Sequence, residues 1–396
     1  MRFHRLLLVA LLFLTPSAIR ADWRQFRGNN VNGVADGPGP KSFEKVAWKI
    51  DLPGRGLSGP IVVGEKVFLT ASSGYRQDKL HVLCFDAKTG KRLWERRFWA
   101  TGRTQCHPKM CVATPQPASD GKRIFAFYSS NDLACLDLDG NLVWYRGLTH
   151  DFPNASNSLG MASSPIVIGD TLVVQVESDA HSFATGINVS NGKSRWRKTR
   201  PQRANWTSAA ILPRKNGTAL ALLQSSVGVS AVEPRTGKEI WKYGDGASTI
   251  PSSTVSGGVV FVPSHGLTAL RPIAGSPAPE QLWQEGKMRP GTASPLAYDG
   301  KVYTLNSGGV LTVGDQQTGK QQGRQRLAGP FTSTPIAAGG LLYFFNEKGK
   351  GTILDARKKG SVVATTDLKQ TILCTPAISG GALYVRSDGH LWKFAR

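Results

Sequence analysis

The chain is poor in acid, in histidine and in long apolar runs. Of its 396 residues only 27 are Asp or Glu, against 49 Lys and Arg, for a formal charge of +22. A glycosidase needs two carboxyl groups facing each other across a cleft; here only Asp151 and Glu177 stand in loops where a cleft mouth is expected. The seven His are scattered, and no nucleophile-elbow pattern supports a Ser/His/Asp hydrolase. After the first twenty residues no long apolar helical stretch occurs, which leaves no transmembrane helix to expect and points to an all-β chain. Five Cys, an odd number, leave at least one thiol free. No Cys precedes Cys84, so the N-terminus offers no lipidation site.

The first 21 residues read as a secretory leader. Arg2 and Arg5 form a basic start, Leu6 to Leu14 a short apolar core, and Ala21 a cleavage site. That core is too short against the roughly 20 residues needed to span a bilayer. Export without a lipid anchor, to the periplasm or beyond, is the expectation, with a mature charge of +19 once Arg2, Arg5 and Arg20 are gone. Such a charge suits anionic surroundings or simply a basic surface. No nucleic-acid-binding motif is present, and nucleic acid is a poor partner for an exported protein.

What the chain does have is turns and a repeat. Gly numbers 44 and Pro 23. The stretch Asp86-Ala87-Lys88-Thr89-Gly90-Lys91-Arg92-Leu93-Trp94 recurs in degraded form. Its copies are Asp137–Trp144, Asn188–Trp196, Glu233–Trp241, Asp315–Gly323 and, more loosely, Arg271–Trp283 and Asp355–Ala364. Trp48, Trp94, Trp144, Trp196, Trp241, Trp283, Gly323 and Ala364 follow one another at intervals of 40 to 52 residues. Each interval holds a Ser/Thr-Pro-like strand start (Gly59-Pro60, Thr114-Pro115, Ser164-Pro165, Ser208, Pro251-Ser252, Ser294-Pro295, Thr334-Pro335, Thr375-Pro376). A Gly or Asp-Gly turn, an alternating apolar strand, a third strand into the Thr-Gly turn, and the Trp strand complete it. Units of 40–50 residues with four strands are propeller blades. The last unit has only three strands, and a spare Trp strand, Lys45–Leu52, stands at the front. It can complete the last blade and close the ring, which removes the two open edges of a solenoid. Seven complete units plus one shared between the termini make eight blades; the degeneracy of the last units leaves seven as the competing count. The domain plan is leader 1–21, an irregular arm 22–45 packed through Trp23 and Phe26, and a single propeller 46–396.

The repeat Trp residues are expected to dock blade on blade, each indole N–H bonded to backbone. Cys84 and Cys135 occupy a small, buried position that other copies fill with Gly186, Ala231 or Val313. Cys106 and Cys111, five apart in one loop, are candidates for a local disulfide. A metal site there finds little support, since only His107 stands beside them.

The pattern small-x-Asp-x-x-Thr-Gly-Lys-x-x-Trp, from Cys84 to Trp94, resembles the tryptophan-docking motif of the quinoprotein (PQQ-like) β-propeller repeat. With the opening Asp22-Trp23-Arg24-Gln25-Phe26-Arg27-Gly28, the chain is similar to exported bacterial proteins built from that repeat, and in repeat type to the barrel-assembly propeller BamB. This resemblance covers nearly the whole mature chain and speaks for fold, since the superfold hosts both enzymes and scaffolds. The quinoprotein alcohol dehydrogenases hold their quinone under an adjacent Cys-Cys disulfide, against a Trp, with calcium bound by acidic and amide groups. This chain has no adjacent Cys pair. No cofactor is therefore expected, with PQQ and calcium as the alternative.

The longest loops, Arg96–Val112, Gly147–Ala162 and Lys198–Trp206, join consecutive blades and should cluster over one sector of the axial funnel. Loops on a rigid scaffold are where function concentrates. They carry Arg103, His107, Asp151, Arg200, Arg203 and Trp206, and the nearby Glu177–Ser182 loop adds Glu177 and His181. Arg can grip a carboxylate or sulfate in two-pronged fashion, and Trp206 can stack on a ring. The same groups could equally cover the propeller mouth and bond to backbone carbonyls. The functional expectation is a non-catalytic envelope scaffold for a protein partner or an anionic polysaccharide, with a PQQ-dependent dehydrogenase as the alternative.

Overall fold

The computed structural model describes residues 22–155, 159–215 and 217–396; the expected leader lies outside them. Alternating apolar strands with Gly turns form eight four-stranded antiparallel sheets. Each strand pairs with its sequence neighbour, so each sheet is an up-and-down blade. Blade 1 consists of Ile61–Val63, Lys66–Ser73, Lys79–Asp86 and Arg92–Trp99. Blade 8 takes Ala377–Ser379, Ala382–Arg386 and His390–Phe394 from the C-terminus, and Val46–Asp51 from the N-terminus as its outer strand. Pairing of Val46 with Phe394 and of Asp51 with His390 closes the ring, and the count is eight. One four-residue helix, Leu148–Asp151, interrupts the described residues, and none of their helices is long and apolar enough to cross a membrane.

Burial follows radius. The innermost strands are short, buried and in contact with one another round the axis, whereas the outer strands alternate between exposed and half-buried residues. Between blades the docking tryptophans set the spacing. Trp94 donates its indole N–H to Leu138 O of the next blade at 3.1 Å, Trp144 to Val189 O at 3.0 Å, and Trp196 to Pro234 O at 2.7 Å. Trp48 reaches Ala87 O at 3.3 Å, and Trp283 reaches Gln316 O at 3.2 Å. Each ring lies on the Gly of the neighbouring turn. A Cβ on Gly90, Gly140, Gly192, Gly237 or Gly319 would stand 2.6–2.9 Å from Trp48, Trp94, Trp144, Trp196 or Trp283 in turn. That Gly therefore serves twice, supplying positive φ to the turn and a bare face to the indole.

Trp241 departs from the expected pattern: it is buried, but its indole N–H has no partner. The turn that should receive it, between Arg271 and Glu280, is longer than its counterparts and presents Pro277 O to the Lys242 amide instead.

Opposite the Trp of blades 1 to 5, across the ladder, stands the small residue of the repeat: Cys84, Cys135, Gly186, Ala231 and Ala269; Trp48 of blade 8 faces Lys393 instead. In blades 6 and 7, where the Trp position holds Gly323 and Ala364, the partner is the larger Val313 or Ile353. Volume is thus exchanged across the strand pair. The sequence did not announce the bulge that accompanies the Trp. In every blade the outer strand slips by one residue just before this position, skipping Leu93 in blade 1, Val143 in blade 2 and Ile240 in blade 4. A bulge re-aims the next side chain. It turns the Trp into the inter-blade gap and leaves Leu93, Val143, Ile240 and Val363 exposed.

Candidate functional site

Strand starts from the blades converge on the axis and build a collar of hydroxyls. Ser164 N–H donates to Ser208 Oγ at 2.9 Å, Ser208 to Ser252 at 3.0 Å, Ser252 to Ser294 at 2.9 Å, Ser294 to Thr334 Oγ1 at 3.1 Å, and Thr334 to Thr375 Oγ1 at 3.3 Å. A chain of backbone-to-side-chain bonds thus links successive blades where no β-ladder can. In blade 2 the collar position is Gln116, which precedes Pro117 and donates its N–H to Ser164 Oγ at 3.0 Å. The Thr114-Pro115 pair singled out from the sequence lies two residues too early. Thr114 Oγ1 instead donates to Cys111 O at 2.6 Å and accepts from Cys111 N–H, folding the loop back on itself. Blade 1 contributes Gly59, where a Cβ would collide with Thr375 O and Gln116 Oε1. The Gln116 amide fills that gap, donating to Gln25 O and Pro60 O.

One end of the axis is stoppered by the N-terminal arm. Trp23 bridges to Val62 of blade 1, and Val34 to Ala337 of blade 7. Between them Arg27, fully buried, donates to Ser253 O at 3.0 Å, Thr254 Oγ1 at 2.5 Å and Pro295 O at 2.8 Å. Among the described residues no carboxylate pairs with it, and burial pulls the guanidinium down to about 9. Phe26, its neighbour, lines the axial cavity from below.

The result is a blind funnel of about 360 Å³ that opens on the loop face. Its wall is apolar (Leu57, Met110, Leu159, Ile250, Leu373, with Trp206 at the side), and the hydroxyl collar lies below. Among the described residues the only lining groups with a full charge or a titratable ring nitrogen are Lys109 and His107. The loop that carries them is latched over the mouth. Arg55 donates to Met110 O at 2.7 Å and Pro108 O at 2.9 Å, and Lys109 Nζ meets Glu347 Oε2 of blade 7 at 2.9 Å. Trp206 is fixed by its indole bond to Gly160 O at 2.8 Å.

Of the eight residues proposed from sequence, only His107 and Trp206 line this funnel. Arg203 borders a separate hollow with Ser248 and Ile250, and His181 borders another with Phe152 and Arg197. Asp151 pairs with Arg146, and Arg103 is exposed and bonds Gln105. Glu177 and Arg200 turn to each other: Arg200 Nε lies 2.6 Å from Glu177 Oε1, with both side chains almost wholly out of water. Burial holds the Glu177 carboxyl above the usual range although Arg200 pulls it down. The pair is therefore internal and not free to grip a ligand. Cys106 and Cys111 are unbonded: Cys106 Sγ faces Ser129 Oγ at 3.5 Å, while Cys111 points into the core beside Thr114. The collar hydroxyls, Leu373 and Ile250 were not picked out as site residues, although the recurrent Ser/Thr-Pro signal marked their neighbourhood.

A calcium-held quinone would require carboxylate and amide oxygens around the metal, and the quinoprotein alcohol dehydrogenases that the repeat resembles add an adjacent cysteine pair. Among the described residues the funnel lining contains no Asp or Glu, a single amide in Gln116, and Cys374 alone. Among the described residues no group of three His, Cys, Asp or Glu is placed to hold a metal. The donor set does not fit that cofactor.

Comparison with known proteins bears on the same question. The propeller superposes on BamB from Moraxella catarrhalis with a TM-score of 0.64, at 14% identity over 89% of this chain and 97% of that one. It superposes on a europium-containing methanol dehydrogenase with a TM-score of 0.70 (13% identity, 95% and 98% covered). The quinohemoprotein alcohol dehydrogenase of Comamonas testosteroni gives 0.69 (13% identity, 94% and 80% covered). Identities this low speak for the fold alone. Tetrathionate hydrolase of Acidithiobacillus ferrooxidans is 22% identical over 349 residues, 76% of this chain; the chain spans 65% of the length of that curated relative. The family model described as outer membrane protein assembly factor BamB matches residues 41–159, 81–270 and 273–359. Those matches span most of the propeller, and the chain accordingly belongs to the BamB-type family of PQQ-like repeat proteins.

Proposed function

We propose that this protein is an exported binding scaffold of the cell envelope whose funnel takes an apolar side chain or short segment of a partner protein, without chemistry on it. The observation that carries this reading is the blind, apolar funnel whose one charged lining group among the described residues, Lys109, stands at its rim. Desolvated apolar pockets of this kind hold the anchors that dominate protein–protein affinity. The collar hydroxyls accept N–H bonds from neighbouring blades, so they serve the scaffold first. The exposed Lys109 at the rim and the chain's formal charge of +22 favour a partner segment with acidic residues beside its anchor, which would compete with Glu347 for Lys109.

The test places a photo-crosslinking amino acid at Ile250, on the funnel wall, and at Lys320, in a turn on the opposite face. A discrete adduct from Ile250 and none from Lys320, suppressed by Leu373→Glu, is the expected result. A parallel titration with pyrroloquinoline quinone at millimolar calcium should show no saturable spectrum. Saturable binding followed by reduction with an alcohol would replace this reading with the dehydrogenase one, and displacement of the adduct by an acidic polysaccharide would move the partner class to glycans.

A further inference from the structure

Blade 1 brings together three residues that the chain keeps well apart. Ser73 ends its second strand, His81 lies in the third and Glu95 in the outer one. The ladder pairs Ala71 with His81, His81 with Arg97, and Leu83 with Glu95, which puts the three side chains on one face of the blade. Ser73 Oγ lies 2.7 Å from His81 Nε2, and His81 Nδ1 lies 2.7 Å from Glu95 Oε1. An ionised carboxylate only accepts, so the ring proton sits on Nδ1 and Nε2 is left to accept from the Ser73 hydroxyl. Arg97 at 2.7 Å keeps Glu95 ionised, and Arg92 at 2.9 Å helps hold it in place.

This is the order nucleophile, base, orienting acid that activates a serine. His81 is 4% exposed and its geometry is locked, whereas Ser73 is half-buried and opens on the turn Gly74–Asp78. The amide of Gly74, next in the chain, has no hydrogen-bond partner among the described residues and is available to a developing oxyanion. Around the opening stand Tyr75, fully exposed, and Trp99, 64% exposed with Lys79 Nζ 5.4 Å from its ring centre. None of these residues lines the funnel.

We propose that Ser73, His81 and Glu95 form a second functional site, a serine nucleophile on the flank of blade 1 that cleaves carboxylic esters borne on an anionic carrier. Tyr75 and Trp99 offer apolar faces to the acyl group or its carrier, and Arg76 and Lys79 offer charge. Ser73 Oγ bonds to the ester carbonyl carbon as its proton passes to His81 Nε2. The bond to the alcohol oxygen then breaks, and the alcohol leaves with that proton. Water repeats the sequence on the acyl-serine: its proton goes to His81, its oxygen bonds to the carbonyl carbon, and Ser73 leaves and is reprotonated. Ester and water become acid and alcohol, with no other reactant. Glu95 is a positioning residue, acting through His81.

The full chain is incubated with a fluorophosphonate probe, which forms a P–O bond to an activated serine with loss of fluoride, and assayed with p-nitrophenyl acetate. The expected result is labelling of the Ser73 peptide by mass spectrometry and ester turnover, both abolished by Ser73→Ala. His81→Gln should slow labelling roughly 100-fold. Glu95→Gln should slow it by about tenfold or more with an unchanged circular dichroism spectrum, and Glu95→Asp should recover part of the rate. Failure of the folded wild-type chain to label at Ser73 overturns the proposal, as does a labelling rate indifferent to Glu95→Gln; the trio would then be a cross-strand polar ladder only. Neither result bears on the funnel.

Discussion

A tryptophan, a glycine and a small residue make one device, and each constrains the others. At Gly140, φ is +87° and a Cβ would stand 2.7 Å from the Trp94 ring. Gly140→Ala should therefore cost about 1–3 kcal/mol, from backbone strain and a displaced indole together; chemical denaturation measures it, and a neutral result would mean the indole does not rest on that turn. The same scale governs the buried Glu177–Arg200 pair. Desolvation is the dominant influence on Glu177, with Arg200 opposing it. Removing one partner strands the other charge away from water, so Glu177→Ala should destabilise by about 3–5 kcal/mol, while Glu177→Gln together with Arg200→Met should recover much of the loss. Both residues were attractive ligand grips in the sequence, because a loop position and a charge are legible there and a partner 23 residues away is not.

At the scale of the element, the bulge in each outer strand decides where the docking side chain points. Blades 6 and 7 keep the bulge without the Trp and compensate with Val313 and Ile353 across the ladder. A Cβ at Gly323 meets nothing within 4 Å, but a full indole there would press on Val313. Gly323→Trp alone should be near neutral, whereas Val313→Ala with Gly323→Trp should gain about 1 kcal/mol through the filled gap. A double-mutant cycle reads the coupling; strict additivity would show that the two positions do not share space. The loop Cys106–Cys111 is a second element whose state depends on distant contacts. Arg55 and the Lys109–Glu347 bridge hold it over the funnel, and Lys109→Ala should raise its proteolytic sensitivity without moving the melting temperature.

The whole molecule is a ring, and a ring is only as cooperative as its closure. Deleting the residues before Leu52 removes the outer strand of blade 8 together with the plug formed by Phe26 and Arg27. Hydrogen exchange should then lose protection first in His390–Phe394, the strand left at a bare edge, and uniform loss round the ring would argue against a local seam. Acid should weaken the ring as well. Asp86, Asp137, Asp315 and Asp355 accept hydrogen bonds within their turns, from the Thr89 hydroxyl, the Asn141 amide, and the Thr318 and Arg357 backbone N–H groups respectively, which holds each below the usual carboxylate range. A depressed acid contributes stability above its unfolded value, about 3.9, and loses it as pH falls further. Glu177, raised by burial, acts in the opposite sense, favouring the fold at low pH and less so as pH rises. Glu95 and Asp170 are held low as the turn acids are, by Arg97 and Arg195. Six against one, the melting temperature should drop between pH 5 and pH 3, and a flat profile would deny these carboxylates that role. The repeat, the strand order, the blade count and the ring closure were all legible in the chain, because local turn chemistry and a period-two pattern carry them. The collar at Gln116 in place of Thr114, the plugged axis, the unpaired indole of Trp241, the internal pairing of Glu177 with Arg200 and the meeting of Ser73, His81 and Glu95 were not. Each depends on which side chains the ring and its bulges bring within about 3 Å of one another, and spacing along a single strand of text does not encode that distance.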